Sequence, residues 1–473
     1  MFRLLNYQRL FLAKGLLFAF LFVLVTSIAI ADEFDDLFGD VETEEATPEK
    51  KSVWKDLHDN SNFKLSLRSM SHYENAPSRR DFDEKSMFFD ERLFYDTKLK
   101  RGISLYSLAM WVEFGNQKST YRGVGDFPED RDDTRRHVEF NELNWVGSWD
   151  DFDLTLGKKI FKMGISTLYS PSDRISPKGL NDPFNPRELG TWLAKVDAFK
   201  GNTTYSLAVI PFFTPVKRPN SSSRWSGAGE STNSIESLIP NNLPSATTTT
   251  TTTEEFPKRT LENVQSILKV KTTVKGWDLF AAAFHGPNPF PVLAAESTTS
   301  FRTKNVRVGN YSTGFSTTYK KFEFHGEGLY QLAYASKDDN YINFVFGSTL
   351  TMDEWVKHIG LEQIDFTAEF SKEEITAKQT HSDFVASSEE SRISRDLVYT
   401  RAIFKYSENL RLAAAFNFDF DERGHFETAG FEYKVRPGWI LKMHTEFYNG
   451  KKGTHYGQFR ENDRLVTTLE YSF

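Results

Sequence analysis

Residues 463–473 read D-R-L-V-T-T-L-E-Y-S-F. Leu465, Thr467, Leu469, Tyr471 and Phe473 fall on one face at a period of two, and Val466, Thr468, Glu470 and Ser472 fall on the other. Side chains alternate across a strand, so this is a β-strand with an oily side and a polar side. Its reading decides the fold if the chain upstream supplies further strands of the same kind.

It does so from Asn62 onward, in segments of about ten residues, the length that a tilted strand needs to cross a bilayer. Tyr106, Leu108, Met110, Val112 and Phe114 share one face of such a segment; Leu410, Leu412, Ala414, Phe416, Phe418 and Phe420 share another. The opposite faces carry charge: Arg92, Lys98, Lys195, Glu323, Glu327, Glu369, Arg401, Arg411 and Glu446. These are the expected lumen-facing residues. The alternation predicts strands such as 152–162, 191–200, 203–210, 264–274, 322–335, 356–364, 366–378 and 410–421, about eighteen in all, with sixteen as the alternative.

The connections alternate in length. Short ones such as Gly201-Asn202, Lys275-Gly276, Lys320-Lys321, Asp365 and Pro437-Gly438 suit hairpin turns. Long polar ones are expected at 74–87, 115–135, 163–190, 211–262, 285–303, 336–355, 379–394 and 449–462. Short turns on one side and long loops on the other describe a transmembrane antiparallel β-barrel with periplasmic turns and extracellular loops. An even strand count places both chain ends on the periplasmic side. A strand that ends on an aromatic residue also resembles the closing strand of bacterial outer-membrane barrels. That resemblance implies recognition of Tyr471 and Phe473 by the barrel-assembly machinery.

Composition agrees with this class. With 58 basic and 65 acidic residues and a formal net charge of −7, the 473-residue chain has no basic face for nucleic acid. Its mean hydropathy of −0.49 is too polar for a helical membrane protein but ordinary where lipid-facing and lumen-facing residues alternate. Aromatic residues make up 15%, 43 of them Phe, as girdles at two interfaces require. The absence of cysteine excludes a disulfide framework, a thiolate metal site and a cysteine lipid anchor. No metal-ligand cluster, phosphate loop or nucleophile elbow is visible, so neither cofactor, metal nor catalytic residue is expected and the chain reads as a non-enzyme.

Arg3, Arg9 and Lys14 precede an uncharged run, Gly15 to Ala31, that ends in Ala29-Ile30-Ala31. This predicts a secretory signal peptide over 1–31. Residues 32–60 form an acidic leader expected in the periplasm, where Phe34, Leu37 and Phe38 at helical spacing are a candidate motif for a periplasmic protein partner. The barrel then covers 61–473, in contact with outer-membrane lipids.

The densest candidate site is the loop Ser170 to Gly190, S-P-S-D-R-I-S-P-K-G-L-N-D-P-F-N-P-R-E-L-G, stiffened by prolines at 171, 177, 183 and 186. Asp173, Arg174, Lys178, Asp182, Arg187 and Glu188 put both signs of charge on it. In a wide barrel, a loop folded into the lumen narrows it and selects solutes by field and hydrogen bonding. The expectation is a constriction for a small hydrophilic solute. A longer loop, Pro211 to Leu261, contains an unbroken run Thr247 to Thr253 and is expected to be a low-complexity external segment, with Glu254 and Glu255 in bulk solvent.

The stretch L-G-K-K-I-F-K-M-G (156–164), then S-P-S-D (170–173), N-D-P-F-N-P-R-E-L-G (181–190) and A-V-I-P-F-F-T-P (208–215), resembles large substrate-specific porins and alginate-export-like barrels. It is also similar to barrels that accompany exporters of the resistance-nodulation-division type. The resemblance covers roughly 154–219 and implies either a passive channel or an export conduit recruited through the acidic leader; a barrel enzyme or adhesin is the remaining alternative. The alginate exporters' lumen is strongly basic, whereas the inward residues here mix signs, a departure that weighs against a polyanion.

Overall fold

The structure, a computed structural model, describes residues 60–74, 87–115, 121–124, 135–219, 224–225, 251–295, 300–381, 383, 395–451 and 454–472. The 1–31 segment, the 32–60 leader up to residue 59 with Phe34, Leu37 and Phe38, and the terminal Phe473 lie outside them.

Eighteen antiparallel strands close into a barrel. Each pairs with its neighbours in sequence, and the ring shuts where Ser61–His72 meets Arg464–Ser472, with Lys64 opposite Ser472, Leu67 opposite Leu469 and His72 opposite Arg464. Closure gives the first and last strands of the ring a partner on each side. The seam carries charge inside: Lys64 and Lys442 each bring Nζ to 2.9 Å from Glu470 Oε2. Along the closing strand Arg464, Val466, Thr468 and Glu470 are buried while Leu465, Thr467, Leu469 and Tyr471 are half-buried, the alternation that the sequence predicts. Tyr471 packs near Trp439, ring centroids 4.7 Å apart and planes tilted by 32°.

The outer surface is apolar, with Leu268, Phe346, Phe366, Leu412 and Phe416 among its exposed side chains. Aromatic rings gather next to the short turns: Trp149 and Phe152 stack across one, Tyr319 and Phe322 flank another, and Trp277 follows a third. That third turn is a two-residue hairpin, Lys275-Gly276, with both φ positive at 50° and 83°. Such a turn matches the twist of paired strands and favours glycine.

One predicted strand is misplaced. The segment 356–364 contributes a 3-10 turn at Trp355–Ile359, and the strand lies earlier, at Asn340–Met352, inside what reads as a long loop. Ile342, Phe344 and Phe346 point outward there while Tyr341, Asn343 and Val345 are buried. Pairing along its length with Phe322–Ala333 and Gln363–Ala377 settles the register, so the charged Asp353, Glu354 and Lys357 belong to the connection. The next strand accordingly begins at Gln363 and runs through Asp365. A second correction concerns the Thr-rich run: Thr251–Glu255 is a strand, paired in parallel with Ser300–Lys304, and Glu255 is bound by Arg302 at 2.7 Å and Lys304 at 3.4 Å. Cross-strand pairing and opposite charge, neither visible in the local composition, tie Glu255 to two cations, although 43% of its side chain stays exposed.

Candidate functional site: a loop laid across the lumen

Between the strands Phe152–Lys159 and Thr191–Lys200 the chain leaves the wall and crosses the barrel interior. Prolines and a 3-10 turn at Pro171–Ile175 give it shape. Ser170 caps that turn, its Oγ accepting from Asp173 N. A two-residue ladder pairs Lys178 with Glu188 and Gly179 with Arg187. A second infolded piece backs it, Leu180 N donating to Lys217 O at 2.7 Å and Lys217 N to Lys178 O at 2.9 Å.

Two wall carboxylates hold the loop by its backbone. Glu327, on Phe322–Ala333, accepts from the amides of Ile165, Ser166 and Ser172 at 2.8–3.2 Å and from the hydroxyls of Ser166 and Ser170. Glu369, on Gln363–Ala377, accepts from the consecutive amides of Thr167, Leu168 and Tyr169 at 2.8–2.9 Å. His325 Nε2 lies 2.8 Å from the same Glu369 carboxylate. Hydrogen bonds to an ionised acceptor in a water-poor site are strong, and each amide left without one costs about 1–3 kcal/mol. Gly164 makes the approach possible: a Cβ there would stand 1.8 Å from Ser170 Oγ and 2.7 Å from Glu327 Oε2.

Across the ring the loop meets the closing strands. Asp182 Oδ2 receives Arg464 Nη2 at 2.9 Å, and Arg464 Nε also donates to Glu446 Oε2 at 2.7 Å. Phe184 sits among Phe426, Tyr448, Trp225 and Phe459, with ring centroids 4.4–5.8 Å away. His455 borders the same cluster, 6.1 Å from Phe184. Burial, and then the nearby positive Arg395, lower its pKa to about 4, so it is neutral at pH 7.

The residues expected at the site fall in several roles. Asp173 turns inward on its own loop, accepting from Met163 and Gly164 amides at 2.6 and 3.0 Å. Arg174 reaches Glu373 at 3.4 Å and stacks 5.2 Å from Tyr341; the buried guanidinium is held firmly charged by that surrounding. Burial lowers the Lys178 pKa against the opposing pull of Asp173 and Glu188. Arg187 lies over Trp111 at 5.1 Å, and Glu188 pairs with Lys162 at 2.9 Å. Asn141, the extra residue at a register shift in its strand, clips the loop's end, donating to Glu188 O and accepting from Gly190 N.

On the wall, Lys195 pairs with Asp197 at 2.6 Å, Glu323 accepts from Ser316, and Arg411 stands 4.0 Å from Glu432. Lys98 is exposed, and the side chain of Arg92 is not among those described. Arg401 faces a cavity between loop and wall. Sequence reasoning passed over Arg464, Glu373, Tyr341, Phe184 and Trp225. Arg464 shares the polar face of the closing strand with Val466, Thr468 and Glu470, a signal that was available; the others are ordinary apolar or acidic positions until the loop is docked. Among the described residues no group of His, Cys, Asp and Glu is placed to hold a metal ion.

The chain is thus a closed 18-stranded antiparallel barrel, all β and with almost no helix. No family model matches it, and no curated protein does. Among solved structures it is similar to OccAB1 of Acinetobacter baumannii, with TM-score 0.48 and 8% identity over 91% of this chain and 99% of that one. It is also similar to a triple mutant of the Rhodopseudomonas blastica porin, with TM-score 0.41 and 9% identity over 87% and 99%.

Proposed function

We propose that this protein is an outer-membrane channel for the passive passage of small hydrophilic solutes, with the 170–190 loop as its constriction. The observation that carries the reading is the loop's anchorage on opposite parts of the ring, at Glu327 and Glu369 on one side and Arg464 on the other. A loop held across the lumen by buried charges keeps one shape, and a fixed array of charges in a narrowed passage acts on a passing ion with little screening. The apolar exterior, with aromatic side chains beside the short turns, supports residence in a bilayer, and the polar inner face supports a hydrated interior.

Planar-bilayer recordings of the purified protein test this. Discrete conductance steps in KCl are expected, and reversal potentials under a salt gradient report selectivity. Arg187→Glu should move the channel toward cations, whereas Glu262→Lys, on an exposed turn outside the loop, should leave selectivity unchanged. Absence of conductance steps, or equal shifts from the two variants, would remove the constriction reading.

A further inference from the structure

The outer wall is not uniform. Four adjacent strands, Trp277–Pro287, Arg307–Tyr319, Phe322–Ala333 and Asn340–Met352, carry a groove of about 640 Å³ on their outward side. Its floor is low because Ala281, Thr313 and Gly328 stand side by side in direct register, with Phe344 opposite Gly328 as a wall. One row nearer the short turns, Phe315 and Phe346 lean together over Gly326, ring centroids 6.3 Å apart, and close that end. The floor itself stays open: a Cβ on Gly328 would meet nothing within 4 Å.

Toward the long loops the same face turns polar and positive. His285 pairs with Gly309, and the missing side chain there lets Tyr334 bring its Oη to 3.1 Å from His285 Nδ1. A Cβ on Gly309 would stand 3.4 Å from the Tyr334 hydroxyl and 3.5 Å from that of Tyr311, so both hydroxyls gather beside the imidazole. With the Tyr334 hydroxyl donating to Nδ1, the ring carries its proton on Nε2 and offers a further donor. Arg307, the outward position before Gly309, bears on His285 by its charge. Its Nε is buried and has no hydrogen-bond partner among the described residues. None of the outward positions of the four strands is a carboxylate. The cluster therefore has donors and positive charge but no counter-charge, which an anionic group would supply.

The two parts are spaced as the two parts of a lipid. From Arg307 to Thr313 the strand covers about 20 Å, or about 14 Å along the membrane normal at the tilt of a barrel strand, close to half of an about 30 Å hydrocarbon core. We infer that this face holds one lipid of the leaflet on the long-loop side, its phosphate-bearing headgroup on Arg307, His285 and Tyr334 and an acyl chain over Ala281, Thr313 and Gly328. A concave floor gives a chain more contacts than a smooth wall does, and the arginine selects an anionic headgroup. The site lies outside the solute path and requires only that the wall reside in a bilayer, so lipid retention and conductance fail independently.

Native mass spectrometry of the full-length protein, released from detergent that contains equal amounts of palmitoyl-oleoyl phosphatidylglycerol and phosphatidylcholine, tests the site. One phosphatidylglycerol should be retained per barrel with a preference of about fivefold over phosphatidylcholine, the scale of one arginine beside an anionic lipid. Arg307→Gln should erase the preference, whereas Arg436→Gln, beside Trp439 at the short-turn end, should keep it. Gly328→Phe, for which the floor has room, should remove retained lipid of either kind. Equal retention of the two lipids by the wild-type protein overturns the inference without recourse to any variant. So does an Arg307→Gln protein with the wild-type preference. Excess inorganic phosphate that strips the lipid would make the cluster a site for a free anion, and an oligomer that Gly328→Phe dissociates would make the groove an interface between copies; either result overturns the lipid.

Discussion

Arg464, the first residue of the closing strand, is tied to Asp182 in the middle of the infolded loop, Nη2 to Oδ2 at 2.9 Å. The same guanidinium donates to Glu446 and lies 4.6 Å from the Trp225 ring, and only 1% of its side chain is exposed. The residue that closes the barrel therefore also holds the loop.

Breaking this link leaves Glu446 buried without its arginine, a loss of about 3–5 kcal/mol in comparable buried pairs. Arg464→Met should lower the thermal unfolding midpoint of the detergent-solubilised barrel and expose the loop near Asp182 to protease. Adding Glu446→Gln should recover part of the loss, because the uncompensated charge goes with it. An unchanged midpoint in the single variant would show that the pair carries no stability.

The carboxylate clamp gives a second expectation. In Glu327→Gln with Glu369→Gln, each side chain offers one acceptor oxygen in place of two, and its NH₂ group faces amides that also donate. Several of the loop's amides lose their acceptors, at about 1–3 kcal/mol each. The loop should loosen while the wall persists, seen as larger and noisier single-channel currents with unaltered heat-modifiable migration on gels. Wild-type current traces from the double variant would mean that the clamp does not set the passage.

His455 supplies a pH dependence. Its docked pKa of about 4 lies below the value of about 6.5 for a free imidazole. Above about pH 6.5 it is neutral whether docked or released, and its contribution is flat. As pH falls from about 6.5 to about 4 the released state binds the proton first, so docking loses stability by up to about 1.4 kcal/mol per pH unit. The difference in unfolding midpoint between the wild type and His455→Phe should change in that window and level off above it. Parallel curves throughout would leave the imidazole without a role.

Deleting Phe473 tests the assembly expectation. The strand leading to it faces Leu465, Leu469 and Tyr471 away from the inner face, Tyr471 packing near Trp439, and Ser472 pairs with Lys64 at the seam. The deletion should reduce outer-membrane levels severalfold in cell fractionation while leaving translocation out of the cytoplasm intact. Normal levels would detach the terminal aromatic from assembly.

Much of the barrel was legible because it repeats. A period of two survives over ten residues regardless of what lies elsewhere in the chain, so Leu410 to Phe420 reads as a strand from its own composition, and Lys275-Gly276 reads as a turn from its own dihedral needs. The error at 356–364 has the same origin. Asn340–Met352 and the apolar residues that follow both suit a strand, and only pairing with Phe322–Ala333 chooses between them.

The site depended on contacts that no local pattern encodes. From the sequence alone came the strand count, the alternation of turns and loops, and the loop's prolines and charges, all consequences of backbone geometry and of which faces tolerate water. Tertiary structure alone decided that Glu327 would meet the amides of Ile165 and Ser172, about 160 residues away, and that Arg464 would reach Asp182. An amide donor carries no side-chain signature, so its partner can be any acceptor that the closed ring brings within 3 Å; closure, which unites the first and last strands, is itself a property of the whole sheet.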